Sequence, residues 1–265
     1  MMMARWMCPV LAAAVMVPAM ARGQAAERGA FVLRVGGDTI AVERFARTPS
    51  GVDGELGVKG SARVVYTAQT APDAGVTAID VRVWPLTAPD TAPPMQRVTL
   101  VFAGDSAVAT VAGSGAAAGL VVHGARGAIP VVVNPSAVLM EQILMRARAL
   151  GGRDSATVPV IVPGSAQTAA ARVRWLGADS AVLSLGGVEA RIRTDARGRL
   201  LGAAVPSQQL TIERVAGAPR LSLAPPDYSA PAGAPYTAEE VRVPHPGGFR
   251  LAGTLTLPSG RRGRI

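Results

Sequence analysis

Residues 171–215, ARVRWLGADSAVLSLGGVEARIRTDARGRLLGAAVPSQQLTIERV, decide the fold. Five short runs stand in this stretch: Ala171–Leu176, Ala181–Leu185, Val188–Arg193, Leu200–Val205 and Gln209–Val215. Each is strand-length and is bounded by Gly, Asp, Ser or Pro, the residues that supply turns. Asp195-Ala196-Arg197-Gly198 reads as the turn between the third run and the fourth. Reading outward, the same texture continues upstream. Phe31–Val35, Gly36-Gly37-Asp38 and Thr39–Phe45 form a strand, a turn and a strand. Arg63–Thr67, Ile79–Trp84, Val98–Phe102, Ala107–Val111, Ile129–Val133 and Val158–Val162 follow. In Ile79–Trp84, Ile79, Val81 and Val83 alternate with Asp80, Arg82 and Trp84, a period of two that sends one face to a core and the other largely to water. About a dozen strands at this spacing predict a mainly β protein, a curved antiparallel sheet, sandwich or half-barrel.

A weak recurrence accompanies the strands. Gly37-Asp38-Thr39, Gly104-Asp105-Ser106 and Ala178-Asp179-Ser180 each precede a Val-containing run. An Asp side chain can bond a nearby backbone N–H and set a turn. No His or Glu companions make these aspartates a metal site.

One segment breaks the pattern. Asn134 suits an N-cap, Pro135 the first helical position and Gly151 the residue after the end, so a helix is predicted over about 134–150. Leu139, Met140, Ile143, Leu144, Ala147 and Leu150 form its apolar stripe, with Glu141, Gln142, Arg146 and Arg148 elsewhere. Such a helix covers one face or end of the sheet, and could lid a hydrophobic cavity.

The chain has 265 residues, 49% hydrophobic and 17% charged, enough apolar content for a sizeable core and too much for disorder throughout. Its 21 prolines argue against a mostly helical fold. The net charge is +9, and Lys59 is the sole lysine. The arginines are scattered along the sequence and aromatics make up 4%, so the stacked, basic surface of a nucleic-acid binder is not expected.

Residues 1–25 read as a signal peptide. Arg5 precedes the apolar run Trp6–Val17, and Ala19-Met20-Ala21 offers a small-x-small cleavage pattern. The run is shorter than a membrane span and contains Pro9, with Pro18 just beyond it. Export to the bacterial periplasm or outside is therefore expected, with no stable membrane span after cleavage. Cys8 is the one cysteine and falls in this segment, so the remainder has no disulfide and no cysteine metal ligand.

The expected organisation is a β-rich accessory or binding domain over 26–215, a Pro/Ala-rich linker over 216–235, and a β-hairpin beyond it. Chemistry is sparse. Gly-x-Ser-x-Gly is absent, and no phosphate-binding loop surrounds Lys59. His123 ends an apolar run, and His245 sits in a Pro/Gly turn 122 positions later. Glu239 and Glu240 are adjacent, so on a strand they point to opposite faces and form no carboxylate pair. No catalytic, cofactor-binding or metal-binding residue is singled out.

Glu239-Glu240-Val241-Arg242-Val243, followed by Gly247-Gly248-Phe249-Arg250-Leu251-Ala252-Gly253-Thr254-Leu255-Thr256-Leu257-Pro258, resembles the opening hairpin of secreted α/β-hydrolases of the esterase or peptidase kind. In that family Ser, His and Asp cleave an ester or amide. The resemblance covers about 20 residues and implies that 236–265 is the truncated start of a hydrolase domain, with the β-rich region as its accessory. It carries over no catalytic residue, and the chain itself lacks the nucleophile, oxyanion hole and triad. The sheet with a single helix is also loosely similar to half-barrels that carry lipids or lipoproteins across the periplasm. That alternative makes the chain a binding protein holding a lipid or acyl chain under the 134–150 helix. A small-molecule ester, peptide or lipid is the expected ligand.

Overall fold

A computed structural model describes residues 26–86, 88–89, 91–113, 118–162, 164–217, 228–244 and 250–259. The signal-like segment 1–25 with Cys8, residues Ser114 and Gly115, Pro163, linker residues 218–227, His245 to Phe249 and the last six residues lie outside the described ones.

Fifteen strands make one sheet. They are β1 (Glu27–Val35), β2 (Asp38–Thr48), β3 (Gly51–Val58), β4 (Ala62–Thr70), β5 (Val76–Pro85), β6 (Gln96–Ala103), β7 (Ser106–Ala112), β8 (Ala118–His123), β9 (Ile129–Pro130), β10 (Ser155–Ile161), β11 (Ala169–Trp175), β12 (Ser180–Leu185), β13 (Val188–Thr194), β14 (Leu200–Val205) and β15 (Leu210–Val215). One helix, α1 (Ala137–Ala149), separates β9 from β10. Strands β1 to β8 form one up-and-down meander and β10 to β15 a second. The pairing of β1 with β15 joins them, and β9 completes the far edge. Every pair is antiparallel except β9 with β10. The sheet curves without closing. Beyond the end of β10, the His123 N–H at the tip of β8 donates to Ala166 O over 3.1 Å. The mainly β, curved antiparallel architecture with one covering helix is thus present, and among the described residues its fifteen strands form one continuous sheet and not a two-sheet sandwich.

Two strands escape the sequence reading. Gly51–Val58 has three glycines and two acids and no apolar run, yet Val52, Gly54 and Leu56 alternate inward against Asp53 and Glu55. Ala118–His123 shows in the sequence only an apolar run ending in His123, yet it forms β8. Ile129–Val133 shortens to a two-residue strand. The three recurrent aspartates do fall at hairpins, but two of them bond there through backbone: Asp105 O accepts from Ala125 N and Asp179 O from Thr194 N. The side-chain version of the turn occurs at Asp195, which accepts from the Arg197 and Arg199 N–H groups.

Large rings on the inner face are accommodated by glycines on neighbouring strands. Phe45 pairs across with Gly29 and Gly54, and Gly54 with Tyr66. A Cβ on Gly54 would overlap the Tyr66 ring, and one on Gly29 would crowd that of Phe45. The glycines therefore let two rings lie flat on the sheet.

Helix α1 lies within the curve, against β2, β9, β10, β11 and β14. Its N-cap is Ser136, whose Oγ accepts from Leu139 N, so the helix begins two residues later than Asn134 and Pro135 suggest. Gly151 follows the C-cap with a φ of +74°, as expected of a residue without a Cβ. Val138, Leu139, Ile143 and Leu144 are buried, each contributing on the order of 1.5–3 kcal/mol. The polar side of the predicted stripe needs correction. Glu141 and Gln142 are also buried, while Leu150 is exposed, because the sheet wraps more than one side of the helix.

Strands β16 (Tyr236–Pro244) and β17 (Arg250–Pro258) pair as a separate two-stranded sheet, with every residue of β17 exposed. The expected α/β-hydrolase assignment is corrected. An α/β-hydrolase is built on a parallel sheet with helices alternating between strands, whereas the described residues form an antiparallel meander with one α-helix. The alternation of Val241, Val243, Leu251 and Leu255 with polar residues is what any amphipathic hairpin requires, so it does not specify that fold.

Candidate functional site

Helix α1 has two unlike flanks, and each meets a different part of the sheet. On one flank Leu139, Met140 and Ile143 face Leu183 of β12, Ala190 of β13, Val205 of β14 and Leu210 of β15 across a cavity of about 210 Å³. The side chains that line it follow from strand parity: Leu183 with Leu185, Val188 with Ala190, and Leu210 with Ile212 all share the inner face. The small Ala190 leaves space where a larger residue would fill it. Asn134, Ser136 and Gln208 supply the polar groups of the lining. Among the described residues no charged side chain lines the cavity.

The other flank is ionic, and its charged groups bond one another beside an open, polar cleft lined by Arg47, Gln142, Met145 and Arg199. Glu141 Oε2 accepts from Arg47 Nη2 at 2.9 Å, and its Oε1 accepts from Arg214 Nη2 and from Leu200 N at 3.0 Å. Arg47 also donates to Gln142 Oε1 at 2.7 Å. Arg214 donates through Nε to Leu200 O and lies over the rings of Phe31 and Phe45, with its guanidinium carbon 4.8 and 5.1 Å from their centroids. Burial pushes the Glu141 carboxyl up despite the two guanidiniums that favour its charge.

Glu43 of β2 joins the two flanks at the helix N-terminus. It is fully buried. Oε1 accepts from Tyr66 OH and Ser136 Oγ, both at 2.6 Å, and Oε2 accepts from Ala137 N at 2.6 Å and Val138 N at 3.0 Å. A carboxylate here satisfies otherwise orphaned helix N–H groups and meets the positive end of the helix dipole. Desolvation nevertheless raises the Glu43 carboxyl above its ordinary range, and it drives the Tyr66 phenol well up.

This arrangement supports positioning and not acyl transfer. Ser136 Oγ donates to Glu43, and the adjacent Ala137 and Val138 N–H groups already hold the other carboxylate oxygen. No free donor pair remains there to receive an oxyanion. Among the described residues no three His, Cys, Asp or Glu side chains converge to hold a metal.

The residues weighed from sequence are not brought together. His123 is exposed at the tip of β8. Glu239 and Glu240 are exposed on β16, with Glu240 3.6 Å from Arg242. His245 lies outside the described residues. What sequence reading missed is Glu43, Tyr66, Arg47, Glu141 and Arg214. A signal for the first existed: Ala41, Glu43 and Phe45 share one parity in β2, placing a carboxylate on an apolar face.

No family model and no curated protein sequence matches the chain. Among solved structures, a DUF1089 family protein from Pseudomonas aeruginosa is similar over 64% of this chain and 91% of its own, with a TM-score of 0.44 and 13% identity. A β-barrel-like protein of DUF1849 from Brucella abortus is similar over 72% of this chain and 95% of its own, with a TM-score of 0.43 and 9% identity. The hydrolase-accessory function and hydrolase assignment expected from the hairpin are withdrawn, because the described strands form an antiparallel meander and not a helix-alternating parallel sheet.

Proposed function

We propose that this protein is a carrier-like binding protein that holds an apolar ligand, the end of an acyl chain, between α1 and strands β12–β15. The observation that carries this reading is the cavity itself: about 210 Å³, walled by aliphatic side chains, with its polar groups at Asn134, Ser136 and Gln208. That volume exceeds the roughly 150 Å³ of an apolar cavity known to take up benzene, and it falls below the roughly 300 Å³ at which drug-sized sites begin. It suits a short stretch of hydrocarbon or one ring, with any headgroup left at the polar rim. The uncharged lining supplies no counter-ion for a carboxylate drawn inside. In this reading the signal-like pattern of residues 1–25 supports a carrier that works outside the cytoplasm, with the region 26–215 as its binding domain.

The test is a chain-length series of straight fatty acids displacing a fluorescent acyl probe from the full chain. Each methylene moved from water into the cavity contributes about 0.8 kcal/mol, so affinity should rise about fourfold per carbon and level off once the cavity is full. Ala190→Phe, which fills the cavity, should abolish saturable binding while the circular dichroism spectrum stays that of a β protein. No saturable binding, or binding that Ala190→Phe leaves unchanged, overturns the reading.

A further inference from the structure

The strands that wall the cavity carry arginines on their opposite face. Leu183 and Ala190 point to α1, so Val182 and Arg191 point outward. Register then gathers what the sequence scatters. Arg174 pairs with Val182, Val182 with Arg191, Arg191 with Ala204, Ala204 with Thr211, and Thr211 with Arg34, one lateral row across six strands. Arg172 and Arg193 stand two residues along β11 and β13 and therefore share that face.

Arg172, Arg174, Arg191 and Arg193 are all exposed, and no hydrogen bond or ion pair with a described residue holds any of them. Several other arginines are held: Arg34 is bound to Glu213, Arg97 to Asp80, and Arg199 to Glu27. Successive members on one strand are separated by roughly 7 Å and the two strands by roughly 10 Å. The residues between them are short: Ser180, Val182 and Ser184 on β12, then Gly202 and Ala204 on β14. Ser180, Val182, Gly202 and Ala204, with Arg34, Arg191, Arg193 and Glu213, line a shallow groove of about 520 Å³ on this face. Glu189 and Glu213 are the carboxylates nearest these rows, and Glu213 is occupied by Arg34.

We infer that this face docks the protein onto an anionic phospholipid surface. Four unpaired guanidiniums on a sheet face, with short side chains between them, can each reach a headgroup phosphate without first breaking an ion pair. The surface lacks the aromatic platforms that single-stranded nucleic acid requires, since the described rings of this half of the sheet reduce to Trp175, which is half-buried under Arg148. Because this face is distinct from the cavity, the inference stands whether or not an acyl chain binds inside.

The experiment is co-sedimentation of the full chain with vesicles of phosphatidylcholine, alone or with one-third phosphatidylglycerol. The decisive pair of variants removes equal charge from different places. One replaces Arg172, Arg174, Arg191 and Arg193 by Gln; the other replaces the exposed Arg28, Arg126, Arg153 and Arg197 by Gln. Binding should require phosphatidylglycerol and weaken as salt rises, since the Debye length shrinks from about 10 Å at 0.1 M. Each guanidinium lost from the face should weaken binding about fivefold, so the first variant loses on the order of several hundredfold. The second should stay close to the parent. Equal loss in both variants means net charge alone is at work and overturns the inference. So does the absence of binding to anionic vesicles, or retention by a duplex oligonucleotide instead of vesicles.

Discussion

The two flanks of α1 are built from the same helix and solve opposite problems. On one, Glu141 and Gln142 meet Arg47 and Arg214 in a cluster where nearly every polar atom has a partner. On the other, Leu139, Met140 and Ile143 stop short of the sheet and leave about 210 Å³ unfilled. Apolar side chains beside such an open cleft forgo dispersion contacts that a packed interior would give them. The difference teaches a division of labour: polar bonds with fixed geometry hold the helix in place, so the apolar side need not be tightly packed to do so. A helix held only by its apolar stripe would sink into the gap.

The largest expected effect comes from breaking the anchor at its centre. Glu43→Ala removes the acceptor for four donors, leaving Ala137 N, Val138 N, Tyr66 OH and Ser136 Oγ to find other partners in a buried site. Each unsatisfied buried group costs about 1–3 kcal/mol, and partial relaxation brings the expected total to about 3–5 kcal/mol. Urea denaturation followed by circular dichroism measures it. Glu43→Gln should cost far less, about 1–2 kcal/mol, since its carbonyl can face the two N–H groups while both hydroxyls rotate to accept from its amide. Equal losses for Ala and Gln would mean that charge at the helix N-terminus, and not donor satisfaction, is the anchor.

The sequence shows one of these flanks better than the other. Leu139, Met140 and Ile143 announce the cavity side through helical spacing, and the strands opposite them are readable one by one. What no local pattern contains is the gap between them, which depends on how far the sheet curves. The ionic flank is hidden for a different reason. Glu141 lies three residues from Val138 and from Leu144, inside the buried arc, yet its partners come from β2 and β15, more than 70 positions away on each side. Burial of a carboxylate is decided by such long-range partners, so spacing alone assigns it to water. The arginine face is invisible for the same reason, since it exists only once register aligns β11 with β13.

An intermediate effect should appear on the open flank. Ile143→Val removes one methylene beside the existing cavity and should cost about 0.5–1.5 kcal/mol. The same change enlarges the site, so the longest fatty acid that still gains affinity should shift upward by about one carbon. Differential scanning calorimetry and the displacement series read the two consequences separately. A stability loss with no shift in chain-length preference would place the ligand elsewhere than beside Ile143.

The smallest expected effect is a pH dependence whose sign follows from the buried carboxyls that hold α1. Burial raises the carboxyls of Glu43 and Glu141 in the folded protein. A folded state that binds the proton more readily than the unfolded chain gains stability as pH falls. The contribution of these two groups is fully present below the unfolded carboxylate range and is lost as pH rises through their raised folded values. Asp73 acts in the opposite sense. The Gly75 N–H, with further help from Arg146, holds its carboxyl low, so its contribution is present above the unfolded range and is lost as pH falls through the lowered value. The Glu43 part is isolated by comparing the parent with Glu43→Gln in urea at about pH 4.5 and about pH 7.5, where Asp73 and Glu141 are common to both proteins. The parent should gain on the variant at the lower pH. A parent that instead loses ground on acidification would show that its four hydrogen bonds outweigh desolvation and hold the Glu43 carboxyl low, making the N-terminal anchor of α1 an ionised group throughout the carboxylate range.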